Sequence, residues 1–137
     1  MARPTTAGES RRQAGFTLIE LITVVSIVAI LAAIALPNYR VAIIQSREAV
    51  LKENLYRLRD LIDQYYVDKG QYPSSLEVLV DEGYLRKLPT DPMTQSTDWT
   101  PVFSEPDPDN PSETPGVYDV KSTSEAPSLA GTPYNEW

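Results

Sequence analysis

The sequence predicts an α+β fold with a long N-terminal helix, a short second helix and a small antiparallel sheet. Three observations predict it. An apolar run from Phe16 to Leu36 continues as an amphipathic helical pattern to Lys69. Proline then becomes dense, nine of the 49 residues from Pro89 onward, which excludes a further long helix. Two short β-patterned stretches remain in that part, Trp99–Ser104 and Gly116–Ser122.

The apolar run carries the most information. Its 21 residues would make a helix of about 30 Å, one hydrocarbon thickness. Arg3, Arg11 and Arg12 precede it, so the N-terminus is expected to stay cytoplasmic and the remainder to face outward. A secretory signal peptide fits poorly, because the run is long and "AIALPNYR" leads into more helix. Neither a plain anchor nor a signal peptide explains Glu20. A charge at the centre of a spanning helix costs roughly 2.5 to 3.5 kcal/mol on the insertion scale. If the chain were cut after Gly15, Phe16 would carry a new α-amino group about one helical turn from Glu20. Glu20 could then pair with the amine of a neighbouring subunit, satisfying both charges in apolar surroundings. A carboxylate near a helix N-terminus is also favoured by the macrodipole. With residues 1–15 still attached, Phe16 has no free amine and Glu20 is expected without that partner.

Beyond Pro37, which should kink or locally unwind the helix, Ile44, Leu51, Leu55, Leu58, Ile62 and Tyr65 recur at 7, 4, 3, 4 and 3. This stripe reads as a face covered by the rest of the domain rather than as a two-chain coiled coil. Glu48 with Lys52 and Glu53 with Arg57 stand in the favourable i,i+4 order. Gly70 suits the position after a helix end, and Pro73 opposes continuation. One helix from Phe16 to Lys69 is therefore expected, about 80 Å long. In "GQYPSSLEVLVDEG", Ser74 or Ser75 with Glu77 would cap a short helix burying Leu76, Leu79 and Val80, and Gly83 would end it.

The two strand candidates flank "EPDPDNPSETP", a solvated hairpin loop whose Asp107, Asp109 and Glu113 lack the spacing of an EF-hand. Tyr134 and Trp137 read as anchors tying the end of the chain to the domain. The expected core is Leu51, Leu55, Leu58, Ile62, Leu76, Leu79, Val102, Val117 and Val120.

Composition narrows the chemistry. The 137 residues include no cysteine and no histidine. This excludes disulfides, thiolate sites, imidazole ligands and Ser-His-Asp triads. There is also no phosphate-binding glycine loop. The net charge of −7 is uneven, with residues 88–137 carrying nine acids against Lys121 alone. Nucleic acid is not an expected partner, because a basic patch normally supplies that affinity.

"GFTLIELITVVSIVAILAAIALPNYR" resembles the N-terminus of type IV pilins and of type II secretion pseudopilins. In that family a basic leader ends in Gly, a prepilin peptidase cuts after it, and the new N-terminal Phe is methylated. The resemblance implies that Gly15 ends a leader of residues 1–15 and that Phe16 is the methylated N-terminus. It makes Glu20 the assembly glutamate and Pro37 the helix-kinking proline. Residues 16–37 would be the membrane and filament-core half of the long helix, and 38–137 a periplasmic pilin-like domain. "GQYP", "LPTDP" and "YDV.S" are similar to the G-type major pseudopilins. The resemblance is densest over residues 11–40, extends to about residue 92 and thins beyond.

What the resemblance implies is a structural subunit rather than an enzyme. Its copies would form a homo-oligomeric helical filament with minor pseudopilins and an inner-membrane assembly platform, after residence in membrane lipid. A type IV pilin of an extracellular fibre is the other reading. A tethered enzyme or binding module would leave Glu20 and the Gly15–Phe16 junction unexplained. In the G-type family the segment after "YDV.S" binds calcium through Asp side chains and main-chain carbonyls. Asp119 matches, but "STSEAPSLAGTPYNEW" keeps only Glu125 and Glu136 as carboxylates. The expected substitute is hydrogen bonding by Ser122, Thr123 and Ser124 with apolar anchoring by Leu129 and Trp137.

Overall fold

A computed structural model describes residues 1–3, 15–112 and 114–137. Residues 4–14, most of the segment expected as a leader, and Glu113 lie outside the described residues. The chain divides into two compact units, Met1–Tyr39 and Arg40–Trp137.

Helix α1 spans Leu18–Lys69 and passes through Pro37 without a break in its helical assignment. The local unwinding expected at Pro37 does not occur. The helix also starts two residues later than Phe16. Thr17 takes the N-cap position, its carbonyl accepting from the Leu21 amide at 3.2 Å. At the other end Gly70 has a φ of +72°, which costs a glycine nothing, and its amide closes the last turn on the Tyr66 carbonyl.

In the first unit α1 is exposed all round. It is long and apolar enough to cross a membrane. In the second unit one face of α1, made by Leu51, Leu55, Leu58, Ile62 and Tyr65, is buried. Ile44 stays exposed, so the core begins one stripe position later than the sequence suggests.

Helix α2 covers Glu77–Asp81 and contributes Leu79, with Leu76 just before it. Its N-cap is Leu76 with no side-chain cap bond, so neither Ser74 nor Ser75 caps it. Val78, not Val80, packs against the core from this turn. Glu77 still has a lowered pKa, from its own backbone amide and the Ser75 hydroxyl.

Strands β1 (Trp99–Phe103) and β2 (Val117–Ser122) pair antiparallel, with Trp99 opposite Ser122 and Pro101 opposite Val120. A two-stranded ribbon tolerates Pro101 because one edge of each strand is unpaired. The ladder skips Tyr118: Val102 faces Asp119 and Phe103 faces Val117. This bulge shifts the side-chain phase, so Val117 and Val120 both point inward although they are three residues apart. Trp99 supplies the buried side chain of β1, and Val102 is only half-buried, outside the core. Tyr134, in a 3-10 turn at Tyr134–Glu136, completes the core.

Gly116 lets β2 enter this arrangement. The Val117 amide donates to the Pro73 carbonyl at 2.8 Å. A Cβ on Gly116 would sit 2.5 Å from Tyr72 Cβ and 2.7 Å from the Tyr72 carbonyl oxygen. Only a residue without a side chain permits this approach.

Candidate functional site: the apolar N-terminal helix and the clamp on the C-terminal segment

Two groupings of polar side chains stand out, one in each unit. The first begins α1. The Thr17 amide donates to Glu20 Oε2 at 2.8 Å, and the Glu20 amide donates to Thr17 Oγ1 at 3.3 Å. This is a reciprocal capping box, Thr at the N-cap and Glu three residues on. It satisfies two amide donors that a helix start otherwise leaves open. The spacing is plain in "TLIE"; the amine partner and the macrodipole expected for Glu20 leave this local bond to Thr17 out.

Two turns on, Thr23 donates to the Ile19 carbonyl and Ser26 to the Ile22 carbonyl, both at 2.7 Å. The hydroxyls of this segment are thus satisfied within the helix. What remains outward is a surface of Leu, Ile, Val and Ala, suited to lipid or to copies of itself. Gly15 and Phe16 stand just before the helix, and Phe16 is almost fully exposed.

The second grouping holds the C-terminal segment against α1. Arg59 Nε donates to Asp119 Oδ1 at 2.7 Å, and one Arg59 Nη donates to the main-chain oxygens of Val120 at 3.0 Å and Trp137 at 2.9 Å. Glu48 Oε1 accepts from the Leu129 amide at 2.8 Å and from the Tyr134 hydroxyl at 2.9 Å. Lys52 Nζ lies 4.8 Å from the centre of the Trp137 ring. The indole of Trp137 packs edge-on against Tyr134 and donates to Thr132 Oγ1.

Several expectations change here. Glu48 and Lys52 do not pair with each other; both reach to the C-terminal segment. Glu53 and Arg57 do form their ion pair, a long one at 3.8 Å. Leu129 does not anchor the segment by its side chain, which is exposed; its amide does. Ser122 is buried and donates to Asp91 Oδ2, while Asp91 Oδ1 accepts from the Met93 amide at 2.7 Å. Asp91 is fully buried. In the sequence it stands unmarked within "LPTDP".

These donors do not fit a calcium site. Asp119 Oδ1 already accepts from Arg59 and from the Val120 amide. Asp63 and Glu136 line an open hollow with Asp119, but Arg59 and Lys121 line it too. Among the described residues no three acidic, His or Cys side chains gather as a metal cluster.

Residues 10–36 match the prokaryotic N-terminal methylation motif. The type II secretion system core protein G of Pseudomonas aeruginosa is 37% identical over 100 residues, covering 61% of this chain and 70% of that protein. The core protein G of Aeromonas hydrophila is 31% identical over 100 residues, with the same coverage. A fimbrial protein of Neisseria meningitidis is 45% identical over 65 residues, covering 46% of this chain and 37% of that protein. No solved structure matches significantly. Capping box, self-satisfied apolar helix and pilin-like domain occur together with that identity: the chain belongs to the type II secretion system core protein G family.

Proposed function

We propose that this chain is the repeating structural subunit of a pseudopilus-type filament that drives protein export in a type II secretion system. The observation that carries the reading is the 37% identity to a core protein G over 100 residues. It has no catalytic role; its chemistry is assembly.

The chain waits in the inner membrane as a single-pass protein, its N-terminus cytoplasmic and residues 38–137 periplasmic. A prepilin peptidase cuts between Gly15 and Phe16, and Phe16 is methylated. The freed amine then lies beside the Thr17–Glu20 box. In the filament Glu20 exchanges an amide partner for the amine of a neighbouring copy. The apolar surface of residues 16–37 passes from lipid to protein, so its burial is never lost to water. Minor pseudopilins and an inner-membrane platform complete the assembly.

A type IV pilin is the second reading, favoured by the fimbrial relative at 45% identity over 65 residues. Deleting the chain from its host separates the two. The proposal expects exported enzymes to be retained in the periplasm while surface fibres persist. Loss of surface fibres with normal export would support the pilin reading instead.

A further inference from the structure

We infer that the Arg59 guanidinium is the internal cation that closes the C-terminal segment, standing where the resemblance leads one to expect calcium. The inference concerns the domain alone and holds whether or not the chain builds a pseudopilus.

Arg59 collects one carboxylate oxygen, from Asp119, and two main-chain oxygens, from Val120 and Trp137. Carboxylate and carbonyl oxygens are the ligands a calcium ion takes, but calcium needs six to eight of them. Here the three are gathered by one planar cation whose several donors point in fixed directions. Arg59 is only partly exposed, and it rises from the second half of α1, whose one face is buried, rather than from a loop. The charge is therefore supplied by the fold and does not depend on the ion content of the compartment.

Two further contacts share the task. Glu48, Lys52 and Arg59 are separated by 4 and 7 residues, which places them along one face of α1. All three hold residues between 119 and 137: Glu48 through Leu129 and Tyr134, Lys52 through Trp137, Arg59 through Asp119, Val120 and Trp137. Asp119, the one residue matching the calcium-binding pattern, is the carboxylate that Arg59 takes.

The test uses the full chain purified in detergent, with calcium ion as the probe. Thermal unfolding is followed in excess calcium and in excess chelator. Chymotryptic cleavage after Tyr134 is timed in parallel, because that ring is buried until the segment opens. The wild type should unfold at the same midpoint in both solutions, within about 1 °C. A true site filled a hundredfold beyond its dissociation constant would raise the midpoint by roughly 10 °C or more. Arg59→Ala should be cut after Tyr134 at least about tenfold faster, with no rescue by calcium. Arg59→Lys keeps the charge but not the fork, and should fall between the two. If Arg59→Ala does not fold, Asp119→Asn carries the cleavage test, and it should also be cut faster. A calcium-dependent rise in the wild-type midpoint would overturn the inference. So would wild-type cleavage rates in both Arg59→Lys and Asp119→Asn.

Discussion

Glu48 and Tyr134, 86 residues apart, are joined by a 2.9 Å hydrogen bond from phenol to carboxylate. Burial of the ring and the Glu48 carboxylate push the Tyr134 pKa up from 10 to about 12. The neutral phenol is thus favoured by folding. Its contribution is complete below pH 10 and is lost as pH rises toward 12. Tyr84, which donates to Asp68 at 2.8 Å, is raised to about 12 by the same kind of contact. We predict that the full chain in detergent loses stability to urea between pH 10 and 12. Tyr134→Phe should lower stability at pH 8 and flatten that alkaline loss. An unchanged slope in Tyr134→Phe would show that Tyr134 does not account for the alkaline loss.

Gly116→Ala should cost about 1–3 kcal/mol, because the new methyl group meets the Tyr72 carbonyl and Cβ with no flexible side chain able to move aside. The thermal midpoint reports it. Gly131→Ala is the useful comparison: its φ of +92° makes it costly, but open space surrounds the added carbon. The Gly116 variant should additionally weaken the Val117–Pro73 bond, seen as faster exchange of the Val117 amide.

Ser122→Ala removes one of the two donors to the buried Asp91 carboxylate and should cost about 1–3 kcal/mol. Asp91→Ala leaves both the Ser122 hydroxyl and the Met93 amide short of a partner and should cost more. The double variant should be less damaged than the sum of the singles, since each single change strands the other's group. Strict additivity in urea unfolding would show that the pair is not coupled.

Much of the fold was legible in the sequence because periodicity and punctuation are local. The stripe from Leu51 to Tyr65, the glycines at 70 and 83, and both strands to within a residue follow from spacing, Gly and Pro. The sites were less legible. Arg59 looks like any surface cation on a helix; its three acceptors lie 60 to 78 residues away. Nothing local to Asp91 signals its burial, because its partner Ser122 arrives from β2, 31 residues on. Glu48 and Lys52 satisfied a helix-pair pattern, but tertiary partners outcompeted a contact worth only a few tenths of a kcal/mol. Val102 alternates correctly in sequence, and the bulge opposite it moves the buried phase elsewhere. The Thr17–Glu20 box could have been read from its three-residue spacing.

We propose that Glu20 serves assembly by its charge and not merely by capping α1. Glu20→Gln separates these roles, since Gln can serve in a capping box but carries no charge. The measurement is filament yield, by electron microscopy of cells producing equal amounts of wild type and variant. Glu20→Gln should insert in the membrane and be cleaved after Gly15 as the wild type is, yet give filaments at least about tenfold fewer. Filaments at the wild-type level would show that the charge of Glu20 is not needed for assembly.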